Sequence, residues 1–355
     1  MHLIFDVLHL YYLPQYLPVY HQLIKQGVKA EFVFYHGAHD DLLTHIITSE
    51  DLSSSWVANA QEARDYYLST RADWIIFANS FAFLDSIHTV SKTAQLGHGI
   101  GPKASYYTKS DTAMTVRFVE GSYRRERLQK MYPDDCFVDV GFCKLDPIIN
   151  NEAVGFNLSA LSLDPDKPTL TYAPTFYPSS IERFPKDWPA DFPEFNILIK
   201  PHYFSLAKEK YAKQKRLLEH WAQYDNVYLA KPQDYSLVPF LATSDLLISD
   251  ASSALFEFAA LNKPVIWCDF LQLRWTYRGI FSYRFKRRMD QDYAEYADIA
   301  VHATSYPDLK QLVASQHDNP DALAEKRLAL SEKLAGKLDG KASNRIVDFL
   351  INHSP

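Results

Sequence analysis

The stretch Ser244-Asp245-Leu246-Leu247-Ile248-Ser249-Asp250-Ala251-Ser252-Ser253-Ala254-Leu255-Phe256-Glu257, followed by Lys263-Pro264-Val265-Ile266-Trp267-Cys268, decides the fold. Residues 245–249 and 264–268 are short continuous apolar runs, and 252–261 between them has the period of a helix. Strands that are apolar on both faces need cover on both faces. A helical crossover between two of them makes the pair parallel.

The same alternation extends outward. Towards the N-terminus, residues 169–173, 196–200 and 226–230 read as strands, with a strongly charged helix over 206–223. A weakly patterned stretch, 150–167, with Asn150-Asn151 and Asp164-Pro165-Asp166-Lys167-Pro168, reads as a linker. Before it lies a second series. Its strands are 2–7, 30–35, 73–78, 113–119 and 137–140; its helices are a proline-initiated one ending at Gly27, 58–71, and the arginine-rich 122–132. Helices dominate 319–353. The fold expected is therefore α/β with two Rossmann-like domains, 1–150 and 168–340, and a C-terminal helix, 341–355, packing back on the first. In such folds ligands bind at the carboxyl ends of the strands.

Composition narrows the function. The chain has 355 residues and a formal net charge of −6, which disfavours nucleic acid as a partner. The basic, aromatic-bearing run Arg284-Phe285-Lys286-Arg287-Arg288 reads first as a solvated loop and second as a contact for an anionic membrane surface or polyanionic acceptor. Three cysteines without C-x-x-C spacing fit a reducing cytoplasm, and no signal peptide is read at the N-terminus. The charge-free segment 7–24 holds Pro14, Pro18, Gln15 and Gln22, so it is not read as a membrane span. Its tyrosines, Tyr11, Tyr12, Tyr16 and Tyr20, suit a core, a substrate groove or an interfacial face. Glycine is scarce, 11 residues in all, and none lies between Gly155 and Gly279. A glycine-rich phosphate loop is excluded there.

Four constellations carry candidate chemistry. Gly97-His98-Gly99-Ile100-Gly101-Pro102-Lys103 follows an apolar run, and its glycines let backbone approach a ligand while His98 serves as a general base. Lys200-Pro201-His202 closes strand 196–200. Asp250 to Glu257 opens a helix, with Ser252 and Ser253 where free N–H groups bind phosphate without glycine. Thr175 ends the strand 169–173 through Ala173-Pro174 and suits a phosphate or ribose contact. The bland alternatives are a tight turn, surface polarity, a plain helix cap and a strand-ending turn, respectively.

In this order and spacing, these segments resemble the CDP-glycerol glycerophosphotransferase family of teichoic-acid and capsule polymerases. The block 244–253 is similar to the family's S-D-x-L-I-T-D-Y-S-S, and Lys263-Pro264-Val265-Ile266 to its K-P-I-I strand. His98-Gly99 with Lys103 corresponds to H-G-T-x-x-K, Ala173-Pro174-Thr175 to A-P-T, and Lys200-Pro201-His202 to R-x-H-P. Val140-Gly141-Phe142-Cys143-Lys144 matches T-G-x-P-R loosely, with Lys144 in place of the arginine, and Tyr203 stands where the family has a proline.

The resemblance implies a GT-B fold, two domains facing across a cleft, with the nucleotide in the second. It implies transfer of glycerol phosphate, or a related polyol phosphate, from a CDP-activated donor to a hydroxyl of a polymeric or lipid-linked glycan acceptor, with release of CMP. His98 and His202 are the catalytic candidates. Lys200, Thr175, Asp250, Ser252, Ser253 and Glu257 are the nucleotide and phosphate candidates, and Gly97, Gly99 and Lys103 the acceptor candidates. With no D-x-D beside the donor segments, no metal and no cofactor is expected. The location expected is the cytoplasm, at the inner membrane face. The rival readings are a glycosyltransferase using a nucleotide sugar and a non-catalytic polymer-binding subunit.

Overall fold

The apolar runs form two separate parallel sheets, each in its own compact unit. The computed structural model describes residues 1–37, 40–101, 104–152, 154–273 and 296–354. Unit 1 comprises Met1–Ile100, Ser105–Glu152 and Lys333–Pro355; unit 2 comprises Gly101–Ala104 and Ala153–Glu332.

In unit 1 the strands are β1 (His2–Val7), β2 (Lys29–Tyr35), β3 (Ser54–Val57), β4 (Trp74–Phe77), β5 (Lys92–Leu96), β6 (Val116–Val119) and β7 (Phe137–Asp139). They pair in the order β3-β2-β1-β4-β5-β6-β7, all parallel. Unit 2 has β8 (Thr169–Ala173), β9 (Asn196–Ile199), β10 (Val227–Leu229), β11 (Leu246–Ser249), β12 (Val265–Cys268) and β13 (Val301–Ala303). Their order is β10-β9-β8-β11-β12-β13, again all parallel. Each sheet grows one way from its first strand and then the other. The switch points lie between β1 and β4 and between β8 and β11, where an open α/β sheet leaves a crevice at the strands' carboxyl ends.

Both faces of the unit 2 sheet are covered, as its apolar strands require. Ile197 and Ile199 join a core containing Tyr172, Phe184, Trp188 and Trp221, while Leu198 between them points to a second core with Leu163 and Phe240. In unit 1 the C-terminal helix Ala342–Asn352 buries Ile346, Val347 and Leu350. The Trp74 indole N–H donates to the Leu350 carbonyl at 3.1 Å. The buried Asp146 carboxylate accepts from the backbone N and the hydroxyl of Ser343, both at 2.7 Å, and so caps this helix from outside it.

Several elements differ from the sequence pattern. The helix expected over 206–223 is broken in two, Tyr203–Ala207 and Ala212–Trp221, because Lys208 between them is extended (φ −95°, ψ 125°). Strands β3 and β13 are short, one beginning with two serines and the other centred on a histidine, and β5, before Gly97, reads Lys-Thr-Ala-Gln-Leu; none of the three carries the apolar run expected of a strand. The return to unit 1 starts at Lys333, inside the helix Ala324–Ala335, and Gly101–Ala104 cluster with unit 2.

Candidate functional site

In unit 2, β8 sits between β9 and β11, so the loops leaving these three strands lie side by side. Hydrogen bonds join them. The backbone N of His202, after β9, donates to the Pro174 carbonyl, after β8, at 3.2 Å. The Ser249 hydroxyl, at the end of β11, donates to the Ala173 carbonyl at 2.6 Å and lies 3.1 Å from the Ser252 hydroxyl.

Asp250 does most of the joining. Its carboxylate accepts from the backbone N of Thr175 at 3.1 Å, the Ser179 hydroxyl at 3.2 Å, the backbone N of Ser180 at 3.3 Å and the Ser180 hydroxyl. It is fully buried, and that burial pushes its pKa up to about 7 against the pull of four donors.

His202 precedes the helix Tyr203–Ala207 and caps it: Nδ1 accepts from the backbone N of Phe204 at 3.1 Å. Its ring packs against those of Phe176 (4.6 Å) and Phe204 (4.9 Å), which also touch each other, and the residue is exposed to solvent. A cap accepted at Nδ1 places the ring proton on Nε2, which makes that nitrogen the ring's donor. Ser252 is the N-cap of the helix Ser253–Ala259 with extended backbone (φ −143°, ψ 166°), yet its side chain makes no cap bond. Its hydroxyl and that of Ser253 are half-buried at the start of the helix. The Lys200 ammonium lies 5.8 Å from the centre of the Phe240 ring.

In unit 1, Gly97, His98 and Gly99 follow β5. The His98 ring is enclosed by three tyrosine rings, with centroids at 5.1 Å (Tyr11), 5.3 Å (Tyr12) and 5.5 Å (Tyr106). Arg124 secures the glycine loop. Its guanidinium donates to the Gly99 carbonyl at 3.3 Å, lies 4.5 Å over the Tyr106 ring and pairs with the buried carboxylate of Glu120. Burial raises the Glu120 pKa to about 7.

The sequence-derived candidates therefore fall in two groups. Gly97, His98 and Gly99 lie in unit 1; Thr175, Lys200, His202, Asp250, Ser252, Ser253 and Glu257 lie in unit 2. Asp250 is wholly buried and Glu257 is 1% exposed, so in this structure both carboxylates are enclosed rather than presented. Gly101, read with the His98 loop, clusters with unit 2 instead; its φ is +99°, and a Cβ there would sit 2.5 Å from the Phe256 ring. Lys103 and the run Arg284–Arg288 lie outside the described residues. Lys144 is buried.

Sequence reasoning missed Arg124. The only hint was its spacing, four residues after Glu120 across a helix start. Among the described residues no group of three or more His, Cys, Asp or Glu is placed to hold a metal ion, and no helix is long and apolar enough to cross a membrane.

Comparison with known proteins follows the same lines. A teichoic acid ribitol-phosphate primase of Bacillus spizizenii is 27% identical over 191 residues, covering 52% of this chain and 44% of the relative. A teichoic acid glycerol-phosphate primase of the same species is 34% identical over 109 residues, 31% of this chain and 27% of the relative. The chain thus spans less than half the length of these curated relatives.

Among solved structures, the wall teichoic acid polymerase TagF aligns with a TM-score of 0.66 at 16% identity, covering 99% of this chain and 88% of that one. A UDP-GlcNAc 2-epimerase from Neisseria meningitidis aligns with a TM-score of 0.63 at 13% identity, covering 99% and 100%. The two parallel sheets are thus of the GT-B type. The profile of one family runs over residues 14–352, which takes in all of the unit 2 sheet, the unit 1 sheet from β2 onward and every candidate segment from Gly97 to Glu257, and the chain belongs to that family, CDP-Glycerol:Poly(glycerophosphate) glycerophosphotransferase.

Proposed function

We propose that the chain transfers a polyol phosphate from a CDP-activated donor to a hydroxyl of a teichoic-acid-like acceptor, with unit 2 taking the donor and unit 1 the acceptor. One observation carries the reading: the loops bearing Thr175, Lys200–His202 and Ser249–Ser253 leave adjacent strands at the unit 2 switch point and are hydrogen-bonded to each other.

His98 takes the proton of the acceptor hydroxyl. The acceptor oxygen forms a bond to the β-phosphorus, the bridging bond to the α-phosphate oxygen breaks, and CMP leaves with that electron pair. The Nε2–H of His202 and the Lys200 ammonium stabilise charge on the phosphate oxygens, with Ser252 and Ser253 as further donors. Asp250 acts through the loop it holds and is a positioning residue. Arg124 does the same for the loop carrying His98. Turnover needs neither metal nor cofactor in this scheme.

Glycerol is the unit named by the family, and ribitol the unit named by one relative. The work takes place at the inner face of the cytoplasmic membrane, on a lipid-linked teichoic or capsular chain, with Arg284–Arg288 as the membrane contact. The test incubates the protein with CDP-glycerol or CDP-ribitol and an acceptor, and follows CMP. Release of CMP that is abolished in a folded His98→Ala variant is expected. CDP or UDP release from a nucleotide sugar would establish the rival glycosyltransferase reading, and undiminished turnover in His98→Ala would remove the base.

A further inference from the structure

The unit 1 sheet has its own switch point, between β1 and β4, and none of the residues assigned above lies in it. A cavity of about 560 Å³ occupies that point. Asp6 from β1, Tyr12 beyond it, Tyr35 from β2, and Asn59, Asn79 and Ser80 from the loops after β3 and β4 supply its polar wall. Leu8, Leu10, Leu43, Phe77 and Phe81 supply the apolar wall, with the two phenylalanine rings stacked at 4.7 Å.

The polar groups are fixed in place. The Asp6 carboxylate, 4% exposed, accepts from the hydroxyls of Tyr35 at 2.6 Å and Tyr67 at 2.7 Å. The Asn79 amide donates to the Tyr12 hydroxyl. Asn59 accepts from the backbone N of Gln61 and of Glu62, both at 3.0 Å.

The charge of the wall selects the occupant. Among the described residues no lysine or arginine lines the cavity, whereas two aspartates do, and of its two histidines His36 is paired with Asp40 at 2.9 Å. A phosphate entering would meet carboxylates with no cation to answer it. An aliphatic ligand would leave unused the hydrogen-bonding capacity these amide and hydroxyl groups keep beyond their bonds to one another. A neutral molecule dense in hydroxyls, with an apolar ring face or carbon chain, satisfies both walls, and the volume matches one or two sugar or polyol units.

Tyr12 is shared: it lines the cavity, and its ring is 5.3 Å from that of His98. We infer that the cavity between β1 and β4 is a binding site for the neutral, hydroxyl-bearing unit of an acceptor, a sugar or polyol without its phosphate. The identity of the occupant as the acceptor rests on the proposed function; the site's preference for neutral polyhydroxyl ligands does not.

The experiment is therefore one of binding, without donor. The full chain is titrated with ribitol, methyl α-glucoside and N-acetylglucosamine, and in parallel with glycerol 3-phosphate and glucose 6-phosphate, by saturation-transfer NMR and tyrosine fluorescence. At least one neutral ligand is expected to bind in the millimolar range, with each phosphorylated ligand at least tenfold weaker. Asn79→Ala should weaken the neutral ligand at least fivefold, and Ser80→Ala, a milder change at the same wall, at least twofold.

Absence of saturation by all three neutral ligands up to 100 mM, tighter binding of the phosphorylated ones, or unchanged affinity in both variants would overturn the site. If sugar binding is found but no CMP is ever released from a CDP-linked donor, the transfer reading fails while the site stands.

Discussion

Replacing Asp250 by alanine tests whether the loop after β8 is held by this carboxylate. In the folded chain it is the acceptor for the backbone N–H groups of Thr175 and Ser180, and it is wholly buried. The hydroxyls it also serves have other company. That of Ser180 lies 2.8 Å from the Tyr172 hydroxyl, and that of Ser179 accepts from the backbone N of Ile181 at 3.2 Å. The backbone N–H of Ser180 and the hydroxyl proton of Ser179, both buried, lose their acceptor outright, and the half-buried Thr175 amide loses its own. A buried donor left unsatisfied costs about 1–3 kcal/mol, so Asp250→Ala should destabilise unit 2 by about 2–6 kcal/mol.

Asp250→Asn keeps one acceptor oxygen but turns an NH₂ group towards donors, and should fall between the variant and the native chain. The assay is hydrogen exchange at the Thr175 and Ser180 amides, with urea unfolding alongside. Exchange should accelerate at both amides in Asp250→Ala. Under the proposed function, KM for the CDP-linked donor should rise as well, since Thr175 belongs to the donor site. Native protection at both amides, with stability within about 0.5 kcal/mol of the parent, would refute the reasoning.

Gly101→Ala should destabilise by about 1–3 kcal/mol, read as a lowered Tm, because φ +99° is strained for any L side chain and the new Cβ would meet the Phe256 ring. Pairing it with Phe256→Leu should recover part of that loss, which a purely conformational effect would not allow. Stability should also fall as pH rises through about 7, in part through Glu120, whose folded pKa is raised from 4.5 to about 7 by burial. Between those values the folded chain keeps a proton the unfolded chain has lost, so stability is greater below the window and lost above it. Glu120→Gln, compared with the native chain by thermal unfolding at pH 6 and pH 8, should lose less stability over that interval; an identical loss would remove Glu120 from the account.

Much of the fold was legible because its strands are apolar on both faces. Runs such as Leu246-Leu247-Ile248 and Val265-Ile266-Trp267-Cys268 fit only a sheet covered on both sides, and the helices between them make the pairing parallel. The elements that escaped carry no such run. Strand β3 reads Ser-Ser-Trp-Val and β13 Val-His-Ala, both at sheet edges, and β5 inside the unit 1 sheet reads Lys-Thr-Ala-Gln-Leu; in all three the neighbours, and not the residues' own pattern, decide pairing. The split of the helix at Lys208 was likewise invisible, since helical periodicity continues across the break.

For the candidate site, the residue types could be read from sequence and their arrangement could not. Histidine between glycines, and serines at a helix start, advertise their chemistry through local backbone freedom and free N–H groups. By itself the sequence determined two parallel α/β units, the segments at their strand ends and a family resemblance that the profile match bears out. Only tertiary structure decided that Asp250 is enclosed as a clamp, that Arg124 holds the loop of His98, that Gly101 packs on Phe256, and that Asp6, Tyr35 and Asn79 surround one cavity. Each of those facts is a contact between residues far apart in the chain, set by sheet order and burial, and no local pattern of residues encodes it.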